Sequence, residues 1–333
     1  MTELENNIYM EEIPLPGSPL KALNCFFLRG TERNLVVDVG FDTEEGKGKI
    51  RKTLRELDFA PEKTDLFLTH MHEDHIGAMM SLRREGLFPR VYISGPDAAY
   101  HNAVRREGLQ VSILRIARLS GFSDEEGWRA YQAHPASRLS GGLPPAEFDL
   151  VKEGDVLDLG GLRLTVREFP GHTMGLCGLY EERLGYLFAG DHILSKISPN
   201  ITFWREDFDA LGEYLKSLEK ARALRPTRVF SAHRFLPPDG EARIAELLAH
   251  HERRLREVAG LLRRNGPGDA RTVAAGMHWD YGGGDFRHFA MNQVWFATGE
   301  ALAHLEHLRF RGDAERTERN GAFLYSISQN SSF

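Results

Sequence analysis

Cysteine is almost absent. Cys25 and Cys177 are the only two in 333 residues, too few for a disulfide framework. Both lie among apolar neighbours, in NCFFL and GLCGLY, the setting of buried free thiols, so a reducing compartment is expected. No apolar run approaches the ~20 residues a helix needs to span a bilayer, and no membrane partner is expected. The opening residues, MTELENNIYMEE, lack the basic start and apolar stretch of a signal peptide, and a cytoplasmic location is expected. Surplus positive charge is missing too. Forty-two Lys and Arg face 48 Asp and Glu, a net charge of −6, which argues against nucleic-acid binding driven by bulk charge. Repeats and low-complexity tracts are also absent.

What remains is an ordinary globular balance, 41 % apolar and 27 % charged, in a chain long enough for two domains. Short β-prone runs open it, at Ala22–Leu28 and Asn34–Val39, joined by a turn at 29–33. A helix is expected over Gly46–Leu57, where Ile50, Leu54 and Leu57 share a face. A buried strand at Asp65–Thr69, a helix in HIGAMMSLRRE and a strand in RVYIS follow. Strands return in LRLTVREFP, CGLYEE and LGYLFAGD, then an amphipathic helix in FDALGEYLKSLEKARAL and a strand in RVFSAH. This alternation predicts an α/β fold. Residues 96–148 break it and read as a helical insertion, either a lid or a packing appendage. The Pro-rich stretch Leu236–Gly240 marks a boundary, giving a first domain over 1–240 and a second over 241–333. The second is mostly helical, with a long helix from Glu241 to about Arg264, a glycine turn at Gly282–Gly284, a helix near His288–Leu308 and a terminal hairpin. That order suggests a winged-helix-like arrangement.

The fourteen histidines are the excess that matters. In LFLTHMHEDHIGAM, the residues His70, His72, Asp74 and His75 fall within six positions directly after an apolar run. A strand can fix that backbone and project the side chains just past its end at the sheet rim, where sites in α/β folds form. Either the cluster is a solvated turn or it holds metal. Imidazole nitrogen and carboxylate oxygen suit zinc, iron or manganese. HxHxDH should arise by chance in roughly one chain in a thousand of this composition.

THMHEDH resembles the T-H-x-H-x-D-H signature of the metallo-β-lactamase superfamily. The resemblance implies a four-layer αββα fold, two packed mixed sheets flanked by helices. It also implies further ligands at later strand ends, and the sequence offers His172 in PGHT, Asp191 in FAGD and His233 in SAHR. On the family pattern His70, His72 and His172 would hold one divalent metal. Asp74, His75 and His233 would hold a second, and Asp191 would bridge the two. Zinc is the expected ion, with iron or manganese as alternatives. Asp38, in VDVG, matches the position that orients a ligand from behind, with a turn residue before Gly40 as the alternative reading. Thr69 and Thr173 could serve similarly. Asp74 and His192 are the catalytic candidates, and His192 could equally line a pocket.

The implied reaction is hydrolysis by a metal-bridging hydroxide. The stretches NCFFLRG…NLVVDVG, PGHT and FAGDHIL resemble hydroxyacylglutathione hydrolases, so a small acyl ester or thioester is the expected substrate. The basic residues by which those enzymes hold glutathione have no recognisable counterpart. The C-terminal region resembles the extension of lactamase-like proteins, some of which cleave single-stranded RNA. A metallo-endoribonuclease using Arg253, Arg254, Arg256, Arg263 and Arg264 is therefore the alternative, and nucleic acid the alternative partner. The interleaved Glu246, Glu252 and Glu257 make a solvated face the simpler reading of that helix. A lactonase is a further alternative, and a homodimer is admitted as an assembly. Phe203 and Trp204, in the stretch after Asp191, are candidate pocket walls, with ordinary core packing the simpler reading.

Overall fold

The structure, a computed structural model, describes residues 1–134, 137, 141–280, 285–331 and 333. The glycine turn expected at Gly282–Gly284 and part of the 137–148 stretch lie outside the described residues. Among the described residues, no helix is long and apolar enough to cross a membrane.

Two mixed sheets carry the first part of the chain. The first has seven strands in chain order, β1 (Thr2–Glu5), β2 (Ile8–Pro14), β3 (Ala22–Arg29), β4 (Asn34–Val37), β5 (Thr64–Phe67), β6 (Val91–Ser94) and β7 (Asp149–Val151). Its first four strands are antiparallel and the pairings from β4 to β7 are parallel. Parallel pairs need crossovers. These are α1 (Glu44–Glu56) between β4 and β5, then α2 (Glu73–Ile76) and α3 (Met79–Arg84) between β5 and β6. Thr43 Oγ1 accepts the Gly46 N–H and starts α1, with Glu44 and Glu45 in its first turn.

The second sheet runs β12-β11-β10-β9-β8, formed by β8 (Val156–Asp158), β9 (Arg163–Glu168), β10 (Cys177–Glu181), β11 (Tyr186–Gly190) and β12 (Arg228–Ser231). Only its β11–β12 pairing is parallel. The sheets pack face to face. Ile8, Phe26, Val37 and Phe67 of the first share one apolar core with Val166, Leu179, Phe188 and Phe230 of the second. At its centre Phe188 and Phe230 stack at 4.6 Å, and Phe26 meets both edge-on at 5.4 and 5.5 Å. This is the expected pair of packed mixed sheets.

The remaining helices are α4 (Gly95–Glu107), α5 (Leu109–Leu119), α6 (Asp124–Ala133), α7 (Ala210–Ala223), α8 (Gly240–Asn265), α9 (Ala270–Gly276) and α10 (Met291–Phe310). A terminal hairpin of β13 (Ala314–Arg319) and β14 (Ala322–Ile327) follows. The chain divides into two compact units. One holds Met1–Ala103, Pro144–Pro199 and Ser217–Ile244, and the other Val104–Leu143, Asn200–Lys216 and Ala245–Phe333. Within the second, Phe203 is buried and meets Phe323 edge-on at 6.3 Å.

One expected element differs. HIGAMMSLRRE is not a single helix. It is α2 and α3, parted at Gly77 and Ala78. A Cβ at Gly77 would sit 2.6 Å from the Glu73 carbonyl oxygen, and Ala78 turns its N–H to the Gly40 carbonyl at 2.9 Å. The break ties the histidine segment to the VDVG turn.

Candidate metal centre

Strand ends deliver the histidines and carboxylates of the sequence pattern. The chain leaves β5 through Leu68 and Thr69 and presents His70, Met71 and His72 before α2, which carries Asp74 and His75. His172 follows β9, Asp191 follows β11 and His233 follows β12. Two links hold the sheets together here: Cys177 N–H to Thr69 O at 2.9 Å and Asn24 N–H to Ala232 O at 2.7 Å.

The ring nitrogens converge. His70 Nε2 and His172 Nε2 each lie 3.0 Å from His72 Nδ1. His75 Nε2 lies 3.2 Å from His233 Nε2, and Asp74 Oδ2 is 3.6 Å from the same His233 nitrogen. Asp191 faces both groups. Its Oδ1 stands 3.3 Å from His233 Nε2 and 3.5 Å from His75 Nε2, while its Oδ2 stands 3.6 Å from His172 Nε2. The ligand-bearing atoms of His70, His72 and His172, and those of Asp74, His75 and His233, each lie within 4.8 Å of one another. Every sequence-predicted ligand is therefore in one place.

The outward ring nitrogens of His70, His75 and His233 are tied down, which fixes their tautomers. His75 Nδ1 donates to Asp38 Oδ2 at 2.7 Å, and His233 Nδ1 donates to the Ala22 carbonyl at 2.9 Å. Thr69 Oγ1 donates to Asp38 Oδ2 at 2.8 Å and accepts from His70 Nδ1 at 3.0 Å. Asp38 Oδ1 accepts the Thr69 N–H at 2.8 Å. Asp38 is thus no mere turn residue, although its φ of +59° is what aims the carboxylate inward.

Electrostatics follow from the crowding. Burial, reinforced by the other histidines, holds His70 well below the ordinary imidazole value. Burial opposes charge on His75 as well, but Asp38 and Asp191 outweigh it and raise that ring well above the usual range. For Asp191, burial is outweighed by His233, His75 and His172, which hold its carboxyl far below the carboxylate range. Asp191 Oδ1 is buried and accepts no hydrogen bond. The ring nitrogens of His70, His72 and His172, and those of His75 and His233, crowd round a buried carboxylate oxygen that accepts no hydrogen bond, an arrangement that a cation would hold together. The donor set of imidazoles and carboxylates suits a borderline divalent ion, so the residues fit the metal the pattern implies.

His192 is set apart from this cluster's logic. Its ring is fully buried, stacks flat on Phe169 at 4.6 Å with 3° between planes, and is pushed down to about 3 by burial.

Asp97 escaped the sequence reading. It opens α4, is fully buried, and accepts three hydrogen bonds: Met71 N–H at 3.0 Å, Thr173 Oγ1–H at 2.7 Å and Gly175 N–H at 2.7 Å. It therefore fastens the peptide between His70 and His72 to the loop that carries His172. Burial pushes its carboxyl up to about 6 against those bonds. The only signal was an aspartate just past a strand, in VYISGPD.

Gly190, before Asp191, has φ +53°, and a Cβ there would meet Thr69 Cβ and Oγ1 at 2.8 Å. Gly190→Ala is expected to lower stability by about 1–3 kcal/mol through overpacking, read as a shift in the urea midpoint at constant slope. An unchanged midpoint would show that the close approach does not constrain the site.

The family described as Metallo-beta-lactamase superfamily matches residues 20–233, and that described as Metallo-beta-lactamase-like, C-terminal domain, matches 286–327. The chain is 30 % identical over 172 residues to an acyl-coenzyme A thioesterase MBLAC2 of Gallus gallus, covering 50 % of this chain and 56 % of that protein. It is 26 % identical over 194 residues to the hydroxyacylglutathione hydrolase GloC of Haemophilus influenzae, covering 56 % and 74 %. The chain thus spans little more than half the length of the thioesterase it matches. A solved metallo-beta-lactamase family protein, TTHA1429 of Thermus thermophilus, is similar over 96 % of this chain and 98 % of its own, at 29 % identity and a TM-score of 0.78. A beta-lactamase domain protein of Burkholderia ambifaria shares the fold over 98 % and 94 %, at 24 % identity and a TM-score of 0.82.

Proposed function

The chain belongs to the metallo-β-lactamase superfamily, and on that premise we propose that it is a metal-dependent hydrolase of small acyl thioesters. The observation that carries the reading is Asp191, whose two oxygens address the two histidine groups separately. We assign His70, His72 and His172 to one divalent cation, Asp74, His75 and His233 to a second, and Asp191 to both. Zinc is the ion this donor set suits best. Two such cations supply Lewis acidity and a hydroxide available near neutral pH.

The chain's own groups do the rest. Asp38, Thr69 and the Ala22 carbonyl hold the rings of His75, His70 and His233 by their outward nitrogens, which turns the other nitrogen of each ring inward. Asp74 is the ligand carboxylate that keeps contact with solvent, at 19 % side-chain exposure, and is placed to take the proton of the attacking water. The new C–O bond forms as the C–S bond breaks, giving a carboxylic acid and a thiol. We place His192 outside the proton path. Its ring is enclosed by Phe169 stacking, and its role is to back the Asp191 turn.

Thioesters are favoured over RNA on two grounds. Relatives at low identity are named as acting on acyl-coenzyme A, hydroxyacylglutathione and acyl carrier protein thioesters. Of the α8 arginines expected to form a nucleic-acid groove, two are instead tied up locally: Arg254 pairs with Glu257 and Glu300, and Arg256 with Glu252.

The test combines elemental analysis of purified protein with a panel of acyl thioesters, lactones and single-stranded RNA. The expected result is bound zinc at about two per chain and thiol release from thioesters, with RNA uncut. Metal-free protein that stays so after zinc exposure, or RNA cleavage with thioesters untouched, would sink the reading.

A further inference from the structure

We propose that the exposed rim formed by Phe235, Lys196, Arg234 and Lys21 is the docking site for the phosphorylated nucleotide end of a coenzyme A thioester. The inference rests on the thioester reading above and names the carrier.

The rim stands beside the centre in the chain. Phe235 lies two positions after His233, and Lys196 five positions after Asp191. Lys21 precedes Ala22, whose carbonyl receives the His233 Nδ1–H. Phe235 is 65 % exposed. A single exposed aromatic needs no explanation by itself. Here, however, the Lys196 ammonium sits 4.9 Å from the ring centroid, and Arg234 and Lys21 are exposed in the adjoining loops. Arg234 Nη2 donates to the Pro19 carbonyl at 3.2 Å, so its side chain lies along the loop that bears Lys21.

Charge sharpens the point. The chain carries a net −6, and many of its surface cations sit against carboxylates, such as Arg51 on Glu85 and Lys220 on Glu153. Among the described residues, Lys21, Lys196 and Arg234 have no carboxylate within 4.0 Å. One cation over an exposed ring, with two more uncompensated cations in the adjoining loops, forms a surface for a ligand with several negative charges and a flat face. Phosphates supply the first and a purine the second. Bases stack favourably on aromatic side chains, and cations bind phosphate oxygens by charge-assisted hydrogen bonds.

The rim is also held from beneath. Asn24 Nδ2 donates to the carbonyls of Ser231 at 3.0 Å and Arg234 at 2.9 Å. Arg243 donates to the carbonyls of Leu194 at 2.7 Å and Ile197 at 2.9 Å, one on either side of Lys196. Both loops are thus fixed before any ligand arrives, which lowers the ordering cost of binding. A long pantetheine arm would let the nucleotide rest on this rim while the acyl–sulfur bond reaches the histidines.

The probe is desulfo-coenzyme A, which has no thiol to ligate metal. Its binding to the full, zinc-loaded chain is measured by calorimetry, with pantetheine and phosphopantetheinylated acyl carrier protein alongside. We expect saturable desulfo-coenzyme A binding that weakens at high salt. It should weaken at least about tenfold in Lys196→Ala/Phe235→Ala, with an unchanged circular dichroism spectrum. No binding, an unchanged Kd in the double variant, or equal binding of pantetheine would overturn the inference, as would binding of the carrier protein alone. Binding of desulfo-coenzyme A without hydrolysis of any thioester would leave the rim standing and remove the hydrolytic reading. Hydrolysis of short thioesters without desulfo-coenzyme A binding would do the reverse.

Discussion

Asp191→Ala is expected to lower kcat/KM for a thioester by about a thousandfold or more. The figure follows from the several kcal/mol that metal charge contributes to a transition state, at tenfold per ~1.4 kcal/mol. The geometry explains why this residue should cost more than any single histidine. Oδ1 serves the His75 and His233 side and Oδ2 the His172 side, so one substitution weakens both halves. Metal content should therefore fall together with activity, not after it. The measurement pairs thiol-release kinetics with elemental analysis of the same preparation, and circular dichroism checks the fold. Activity within tenfold of wild type, or two metals retained, would refute the bridging assignment. Asn is the companion variant: it keeps the shape and one acceptor oxygen, so loss of activity in Asp191→Asn isolates the charge.

The centre was legible in the sequence because most of its ligands stand at ends of apolar strands. THMHEDH follows β5, and the isolated His172, Asp191 and His233 each follow a β-prone run. Local patterning and ligand chemistry coincide there. Asp97 was not legible for the opposite reason. Its partners lie 26, 76 and 78 positions away, and two of the three are backbone N–H groups, which carry no residue identity. The division of the chain was equally hidden. Residues 96–148 read as one insertion by composition, yet Val104–Leu143 clusters with the C-terminal residues while α4 begins in the first unit. The N-terminal hairpin was only half visible. Asn6 and Asn7, with φ of 50° and 64°, are a turn signal of the Asn-rich hairpin kind. The charged residues of TELE and MEE mask the strands on either side, because β1 is an edge strand with exposed positions.

Asp38→Asn and Asp97→Asn should separate the two halves of the centre. Asp38 holds His75 directly and His70 only through Thr69, so its loss falls first on the Asp74, His75 and His233 group. Asp97 touches no ligand ring. It holds Met71 N–H, Thr173 Oγ1–H and Gly175 N–H, and so sets the spacing of His70 and His72 against His172. An asparagine at 97 can keep an oxygen toward Met71 and Thr173, but it turns an amide N–H₂ toward the Gly175 N–H. The expected result is a 10–100-fold loss of affinity at one of two metal steps in each variant, resolved by competition with a chelating dye. Leaving one buried donor unmatched costs about 1–3 kcal/mol, so both proteins should fold but unfold at lower urea. Affinity is the deciding readout, because a purely structural role would lower stability and leave both metal steps unmoved. Loss of the same step in both variants would mean that Thr69 couples the halves through His70. Asp38 would then support the whole centre and not one side of it.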